Sequence, residues 1–453
     1  MKKKLLASVV AGFGLVGSAQ AVHVNADGLG QVLLYPYYTV QDGADTYVHI
    51  VNTTNESKAV KVRFLEGKNS REVLDFNLYL SPFDEWTGVI VRTANGAALK
   101  TTDTSCTAPA IPAAGVEFRN FEYVGDSVNG TDRSREGYLE VIEMGVVRNA
   151  TLERAITHVN GVPGDCAAVR NAARAGAEFN TGAVVAPTGG LYGFNTLINV
   201  DAGLASTVDA IALDDFFDPI GGGRHTPSGS LLPSLAQVDT TADIIDGATV
   251  HSLDFARAID NVSALITRTD VINDYVIAPE IDAITDWVVT FPTKRFYVNS
   301  TNPAPFQNVW SATTSTSCDE ISVTYFDREE GTKGLDPDDF SPQPVIPGIS
   351  LCNEVNTVSI VARGDSASLY GAEFTAAKVE LDSGFTSGWM RIDFTSANAL
   401  AGITDVGGTN VVGLPVVGFS GMGFTNGTLT VDGVNVLSNY SGISTHKGHR
   451  IIR

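Results

Sequence analysis

Residues 59–80, AVKVRFLEGKNSREVLDFNLYL, form two runs of alternating apolar and polar side chains around a short polar stretch. In the first run three apolar residues alternate with Lys61 and Arg63. This period of two is typical of a β-strand with one buried face and one wet face. Residues 67–70, GKNS, have the composition of a tight turn. The stretch therefore predicts two consecutive strands, with Lys61 and Arg63 facing solvent.

The same alternation continues on both sides of this stretch. The short connections predict a mainly β chain built from β-sandwich domains of the immunoglobulin or jelly-roll type, with a few short helices in insertions. The composition agrees, since 43% of the residues are hydrophobic, only 18% are charged and 45 are glycine. The first five predicted strands lie at 30–38, 47–52, 59–66, 73–80 and 87–91.

Changes in composition divide the chain into four predicted regions. We expect a signal peptide at 1–21, an N-terminal β-sandwich region at 22–150, a mixed insertion region at 151–285 and a C-terminal β-rich region at 286–453. The last region is either a second β domain or the second half of a composite sandwich. Helices are predicted at 166–179 with Asp165 as N-cap, at 253–266 and at 269–275, and a strand at 295–299.

The N-terminus has the three parts of a signal peptide. Lys2, Lys3 and Lys4 precede an apolar run at 5–16, and small side chains follow up to Ala21. Because this run is shorter than the roughly 20 residues needed to span a bilayer, we expect cleavage after Ala21 and no transmembrane anchor. The protein is therefore expected to be exported to the periplasm, the cell surface or the extracellular space.

Four cysteines follow the leader, at Cys106, Cys166, Cys318 and Cys352. An even number in an oxidising compartment predicts two disulfides, for which three connectivities exist. We favour Cys106 with Cys166 and Cys318 with Cys352, because each pair then lies within one region of the chain. Their spacing does not match that of a zinc site.

The chain is acidic, with 51 Asp and Glu against 30 Lys and Arg and a formal net charge of −21. This sign excludes nucleic acid as the expected partner, because a phosphate backbone attracts clustered basic residues. We expect crowded carboxylates in a loop to be solvated turn residues, and calcium, the one cofactor that the sequence suggests, is the alternative. Two loops hold such clusters, the first at Asp214, Asp215 and Asp218, and the stronger candidate at Asp336, Asp338 and Asp339.

No catalytic motif stands out in the sequence. Gly-rich and serine-containing stretches lack the spacing of a phosphate loop or a nucleophile elbow. Glu140 and Glu143 are an available acid pair for glycoside hydrolysis, but in so acidic a chain we expect them on the solvent side of a strand. His23, His446 and His449 are candidate metal ligands, although we expect the last two in a solvated tail. The sequence therefore gives no positive evidence of an enzyme.

Aromatic residues form the other candidate site. A stacking platform for sugar rings is one interpretation, and burial in the core, which is commoner in β-sandwiches, is the other. The residues concerned are Trp86, Trp287, Trp310 and Trp389 with Tyr35, Tyr37 and Tyr38.

Four segments carry a resemblance to a known family. They are residues 31–38, QVLLYPYY, residues 60–66, VKVRFLE, residues 75–82, DFNLYLSP, and residues 285–295, TDWVVTFPTKR. Through them the chain resembles a family of uncharacterised secreted proteins of Gram-negative bacteria. The resemblance implies one secreted, β-rich protein and brings no established activity or catalytic residue.

These features favour an exported, non-enzymatic protein of the cell envelope or cell surface with a structural, assembly or adhesive role. Its expected partners are other copies of itself, or components of the cell surface or matrix. The alternative is a carbohydrate-binding protein or a hydrolase that acts on polysaccharides, which the aromatic residues and the many carboxylates favour.

Overall fold

The computed structural model describes residues 20–331, 349–395 and 402–453, and these residues are mainly β, as predicted. Most of the signal peptide lies outside this part of the chain, so its cleavage stays a prediction. Ala21 begins the first strand, Ala21–Val24, in which Val22 is fully buried. Every helix in the described segments is too short to cross a lipid bilayer. The immunoglobulin or jelly-roll assignment and the region boundaries also stay predictions.

A ten-stranded central sheet organises the first part of the chain. Glu136–Val147 lies near its middle and pairs antiparallel with Val32–Thr39 on one side and with Lys58–Glu66 on the other. Val184–Val185 also pairs with Glu136–Val147, beside the main path of the sheet. In spatial order the main path contains Thr249–Leu253, Thr241–Asp246, Ala21–Val24, Ile211–Asp214, Val32–Thr39, Glu136–Val147, Lys58–Glu66, Glu72–Leu80 and Cys106–Ala108.

A six-stranded outer sheet packs on one face of the central sheet, and we call this pair the first sandwich. Its core holds alternate residues of both sheets, such as Val62 and Phe64 from the central sheet and Val48 and Trp86 from the outer sheet. The apolar half of the alternation in residues 59–66 is therefore buried as predicted. In spatial order the outer strands are Leu204–Asp209, Leu191–Asn199, Ala44–Asn52, Glu85–Arg92, Ala97–Lys100 and Val116–Glu117.

A five-stranded and a four-stranded sheet form the second sandwich. Trp287 and Val289 of the larger sheet pack in one core with Met390 and Ile392 of the smaller sheet. The larger sheet has the order Ala376–Leu381, Val355–Ala362, Ala283–Thr290, Val417–Val431 and Val434–Thr445. The smaller sheet has the order Asp270–Val276, Ser387–Asp393, Asp319–Asp327 and Ile349–Leu351.

Helices are few and short in the described residues. They are α1 (Ala150–Ile156), α2 (Cys166–Ala172), α3 (Ala258–Ile266) and α4 (Arg295–Val298). The Asp165 carboxylate accepts hydrogen bonds from the backbone N–H groups of the second and third residues of α2, Ala167 and Ala168, which confirms the predicted N-cap. Helix α3 confirms the prediction at 253–266, although it begins only at Ala258.

Two predicted elements are wrong. Residues 269–275 form the strand Asp270–Val276 rather than a helix, because Val271 and Tyr275 alternate into the core of the second sandwich. Residues 295–299 form α4 rather than a strand, and Tyr297 of this turn is buried in the same core. In both places packing overrides the local preference of the residues.

Shorter elements connect these sheets. The remaining strands are His158–Val159, Val162–Pro163, Thr267–Arg268, Gly402–Thr404, Asn410–Val412, Leu414–Pro415 and Ile451–Ile452. The 3₁₀ turns are Phe121–Tyr123, Thr131–Arg135, Glu178–Thr181, Leu235–Gln237 and Pro279–Ile281.

Both predicted disulfides are present. The bond between Cys106 and Cys166 joins the edge strand of the central sheet to the start of α2. The bond between Cys318 and Cys352 joins the residues that flank Asp319–Asp327 and its edge neighbour Ile349–Leu351 in the four-stranded sheet. Each bond therefore fastens a sheet edge to a segment beside it.

The second face of the central sheet is also buried, which corrects the prediction for Lys61 and Arg63. Both side chains are almost completely shielded from water. Residues 221–233, which we call the cover segment, lie over them. Lys61 Nζ donates to the carbonyl oxygen of Pro227 at 3.4 Å, and Arg63 Nη2 donates to that of Leu231 at 2.8 Å. Backbone carbonyls thus replace the water that the alternating pattern predicts.

Apolar packing and a buried carboxylate join the two sandwiches. Tyr37 of the central sheet and Tyr370 of the second sandwich lie in one buried cluster, with ring centroids 5.6 Å apart. Glu136, also in the central sheet, is fully buried. Its carboxylate accepts hydrogen bonds from the backbone N–H groups of Glu373 and Thr375 at 2.7 and 3.1 Å. The joint therefore combines apolar contact with charge-assisted hydrogen bonds.

Candidate functional site

A groove of about 890 Å³ lies at one end of the four-stranded sheet. Trp389 lines it and is 38% exposed. This residue pairs with Asp274 on one neighbouring strand and with Phe326 on the other, so the three form a row across the sheet. Phe326 stacks on the indole, with ring centroids 4.3 Å apart and planes inclined by 14°. One indole face is therefore covered, and the other is directed toward the strand of Asp274.

The alternation of Ser387–Asp393 explains why Trp389 faces outward. Met390 and Ile392 of this strand are fully buried in the core. Because successive side chains point to opposite faces of a strand, Trp389, which directly precedes Met390, lies on the outer face. Gly388 precedes it, and a Cβ atom at this position would lie 1.9 Å from the carbonyl oxygen of Phe326. Glycine therefore allows the close approach of the neighbouring strand that the ring stack requires.

Hydrogen bonds fix the backbone beneath the groove. The carbonyl oxygen of Asp274 accepts hydrogen bonds from Trp287 Nε1 at 3.1 Å and from Ser420 Oγ at 3.2 Å. The Tyr275 hydroxyl donates to the carbonyl oxygen of Phe326 at 3.1 Å. Burial, followed by the nearby Asp327 carboxylate, raises the pKa of Tyr275 to about 12, so the phenol stays protonated. The strands that carry Asp274 and Phe326 are therefore held in a defined position.

The groove has an apolar floor and a polar rim. Met422 and Phe424 contribute apolar surface. Three carboxylates and one guanidinium provide acceptors and donors, at Asp274, Asp327, Glu330 and Arg328. Such a site suits a ligand ring with an apolar face and a polar edge, because the free indole face offers a flat surface and the carboxylates accept hydrogen bonds from hydroxyl groups.

Most of the aromatic residues proposed from the sequence are unavailable to a ligand. Trp86, Trp287 and the tyrosines at 35, 37 and 38 are fully buried, so the platform interpretation is wrong for them. Trp310 is partly buried, and its Nε1 donates to Asp126 at 3.0 Å. Trp389 remains as the one exposed tryptophan of the four.

The outer sheet exposes other aromatic residues that sequence reasoning missed. Tyr47 and Tyr192 are 41% and 37% exposed on the face turned away from the core. His49 stacks on Phe194 between them, with ring centroids 4.2 Å apart. The period of two at 47–51 is the signal for this face, because the alternate residues 48 and 50 enter the core.

The prediction that Glu140 and Glu143 face solvent is wrong, since both are fully buried. Arg295 Nη2 donates to the two carboxylate oxygens of Glu140 at 2.9 and 3.1 Å. Lys58 Nζ donates to Glu143 Oε1 at 2.8 Å. Glu140 is paired in register with Arg63 on the covered face, whereas Glu143 is paired with Val60, which belongs to the core of the first sandwich. The two glutamates therefore lie on opposite faces of the central sheet, and each is the partner of a buried cation rather than part of an exposed acid pair.

Of the two predicted calcium loops, the structure describes only residues 214–218. Asp336, Asp338 and Asp339 lie outside the described residues, so calcium there stays a prediction. Asp214 ends a strand of the central sheet, and burial raises the pKa of its carboxyl. Within residues 20–331, 349–395 and 402–453 no three Asp, Glu, His or Cys side chains are grouped to hold a metal ion. Asp214, Asp215 and Asp218 are therefore not brought together as one such group, and calcium at residues 214–218 stays a prediction.

The three candidate histidines do not come together. His23 Nδ1 lies 3.8 Å from Asp215, and His449 pairs with Asp270 at 2.8 Å. The solvated position predicted for His446 is wrong, because its ring packs on Trp287 with centroids 4.9 Å apart. Burial lowers the pKa of His446 to about 3, so the ring is neutral.

Comparison of the chain with protein-family models, with curated proteins and with solved structures found no match. The family resemblance drawn from the sequence therefore stays a prediction. The geometry of the groove around Trp389 is the basis for a functional proposal.

Proposed function

We propose that this protein is exported and acts as a non-enzymatic adhesive protein of the cell surface, which binds carbohydrate in the groove around Trp389. The signal-peptide pattern of residues 1–21 supports export, as do two disulfides, which persist in oxidising compartments. Its family relationship to secreted proteins of Gram-negative bacteria belongs to the same proposal.

The observation that carries the proposal is the exposed indole of Trp389. Phe326 covers one indole face at 4.3 Å and holds the ring in one orientation. A rigid aromatic surface loses little side-chain entropy when it stacks against a sugar ring. Asp274 belongs to the same row across the sheet and is exposed, so its carboxylate is available to a sugar hydroxyl. The groove volume of about 890 Å³ is large enough for a short oligosaccharide.

The test is a glycan array on the disulfide-bonded protein, followed by titration calorimetry with the oligosaccharide that binds best. We expect Trp389→Ala to weaken binding by roughly tenfold or more, because truncation of a central tryptophan removes most of the contact. Tyr192→Ala is the matched control, since Tyr192 is equally exposed on the other sandwich. This control variant should bind like the wild type.

Three outcomes contradict the proposal. An array without any bound glycan, at protein concentrations up to the millimolar range, rules out the carbohydrate. Loss of binding in Tyr192→Ala with none in Trp389→Ala moves the site to the outer sheet. Release of reducing sugar from a bound polysaccharide makes the protein a hydrolase, which is the alternative that the sequence left open.

A further inference from the structure

A second cavity, of about 290 Å³, lies where the two sandwiches meet, away from the groove of Trp389. Val208 and Ile211 line it from the first sandwich, and Leu265 and Val416 line it from the other side. These walls are apolar. The guanidinium of Arg268 lies in the same lining, so the cavity combines apolar walls with one cationic group.

Arg268 has little to balance its charge. Its Nη1 donates to the backbone oxygen of the adjacent Thr267 at 3.3 Å, and within the described residues no carboxylate lies within ion-pair distance. Burial lowers the pKa of Arg268, and the more distant Asp246 raises it. Arg268 is only partly buried, and charged groups withdrawn from water are normally paired. An unpaired guanidinium is unexpected in a chain with so many more carboxylates than cations.

A second guanidinium reinforces this positive charge. Arg450 Nη1 donates to the carbonyl oxygen of Ala264 at 3.2 Å, at the end of α3, and its Nη2 donates to that of Leu265. Burial, and next the charge of Arg268, lower the pKa of Arg450 to about 9. Asp246 is the carboxylate that acts on both arginines, and it raises the pKa of each.

The other polar residues of the lining do not cancel this charge. His446 is neutral, with Nε2 against the carbonyl oxygen of Val288 at 3.0 Å and Nδ1 against the amide of Asn273 at 3.1 Å. Asp209 and Lys447 carry opposite charges, and both are exposed. Arg268 therefore decides which ligand charge the cavity favours.

We infer that this cavity binds a small amphipathic anion, a carboxylate whose head group pairs with Arg268 and whose apolar tail occupies the space between the sandwiches. Guanidinium and carboxylate form two parallel hydrogen bonds, and four N–H groups of Arg268 have no partner of their own in the described residues. At about 30 Å³ for a group the size of water, the cavity takes about ten non-hydrogen atoms. The inference does not depend on carbohydrate binding.

The probe is octanoate, with octan-1-ol as its uncharged analogue and inorganic phosphate as the anion without a tail. Binding is followed by titration calorimetry and by tryptophan fluorescence, since His446 lines the cavity and packs on Trp287. We expect octanoate to bind one per chain and about tenfold or more tighter than octan-1-ol. Phosphate should leave the fluorescence unchanged.

Two variants locate the site. Arg268→Gln should lower octanoate affinity about tenfold and leave the affinity for octan-1-ol unchanged, because only the charge is removed. Val416→Phe should reduce the binding of both probes by filling the cavity. Arg363→Gln, an exposed arginine paired with Asp382, is the matched control and should bind both probes normally. Thermal unfolding of each variant shows that it is folded before its affinity is compared.

The inference is wrong if octanoate and octan-1-ol bind equally, if octanoate does not bind at about 10 mM, or if phosphate competes with octanoate on equal terms. Unchanged octanoate affinity in a folded Arg268→Gln variant also overturns it. Glycan binding is measured separately with the same variants, so failure at one site leaves the result at the other intact.

Discussion

Glu354 is a carboxyl group that the fold keeps protonated. It is buried between the sandwiches, where its Oε2 accepts a hydrogen bond from Ser70 Oγ at 2.8 Å and its Oε1 has no partner. Burial raises the pKa of Glu354 to about 8, against the opposing effects of Lys294 and Arg295. The group is therefore neutral at pH 7, although two cations lie near it.

Replacement of this carboxyl should change how stability depends on pH. Below the unfolded pKa of about 4.5 both states are protonated. As the pH rises toward 8 the unfolded chain releases this proton and the folded chain keeps it, so the free energy of unfolding falls. Glu354→Gln should remove that decline, which amounts to about 1.4 kcal/mol for each unit of pKa difference. Urea unfolding at pH 5, 6.5 and 8 measures it.

The control for this prediction is Glu122→Gln, because Glu122 is exposed. Its pH profile should follow that of the wild type. A Glu354→Gln profile with the same slope as the wild type shows that Glu354 is already ionised in the folded protein at neutral pH.

At the scale of the elements, the cover segment buries the face of the central sheet that the sequence pattern predicts to be exposed to water. The Lys61 Nζ pairs with Asp75 at 2.9 Å, and the Asn77 amide donates to the carbonyl oxygen of Thr226 at 2.8 Å. Residues 221–233 thus satisfy polar side chains that would otherwise need water. The polar half of the alternation is buried because another part of the chain supplies its hydrogen bonds.

Removal of one member of a buried pair should cost more than removal of both. Lys61→Met leaves the Asp75 carboxylate without a cation, which we expect to lower the free energy of unfolding by about 3 to 5 kcal/mol. The double variant Lys61→Met, Asp75→Leu should regain most of this loss, because no charge is left uncompensated. Urea denaturation of the single and double variants measures the difference.

Lys378→Met tests the same change at an exposed pair. Lys378 and Glu380 are both well exposed, so the loss of stability should be much smaller than for Lys61→Met. Equal losses in Lys61→Met and Lys378→Met would show that water reaches the cover segment freely.

Local signals predicted the parts of the fold that depend on neighbouring residues. The strand at 59–66 with its apolar face in the core, the Asp165 cap and the pairing of the four cysteines are all correct. The ring stack of the groove could not be predicted from the sequence, because Phe326 and Trp389 lie on strands that are far apart in the chain and come together only when those strands pair. The covered face was missed for the same reason.

The bond between Cys106 and Cys166 should stabilise the packing of α1 and α2 on the central sheet. It closes a loop of 60 residues, for which the chain-entropy relation gives about 4 kcal/mol. We expect the Cys106→Ser, Cys166→Ser variant to lose up to this amount, measured by urea unfolding under non-reducing conditions. The corresponding change at Cys318 and Cys352 provides the comparison, and an unchanged midpoint in the first variant would contradict the prediction.

At the scale of the whole molecule, the two sandwiches share buried polar contacts as well as apolar ones. Glu136 accepts hydrogen bonds from a loop of the second sandwich, and Arg295 of α4 pairs with Glu140 of the central sheet. Such contacts are lost together when the sandwiches separate. We therefore expect the wild-type protein to unfold in one cooperative transition.

Glu136→Gln should break this cooperativity. In the wild type the two carboxylate oxygens accept hydrogen bonds from the backbone N–H groups of Glu373 and Thr375. In the variant the glutamine NH₂ group replaces one of these oxygens and cannot accept a hydrogen bond, so at least one backbone N–H group loses its partner. Calorimetry should show two transitions, or one that is broader and lower. Glu117→Gln, at an exposed position, should unfold like the wild type. A single unshifted transition in Glu136→Gln would mean that apolar packing alone holds the joint.

The cover segment places an unusual constraint on how this gene can evolve. Its contacts with Lys61, Arg63 and Asn77 run through peptide oxygens, which every amino acid possesses. At Pro227 and Leu231 selection for these contacts therefore acts on the backbone path, whereas at Gly223 and His225 it also acts on the side chain, because a Cβ at 223 would lie 2.4 Å from the Val184 carbonyl oxygen and the His225 ring bonds to Tyr79. Loss or gain of one residue would displace each following oxygen by up to about 3.5 Å and break the register. Homologous sequences should therefore vary at exposed positions such as Leu231 while keeping the length of the segment.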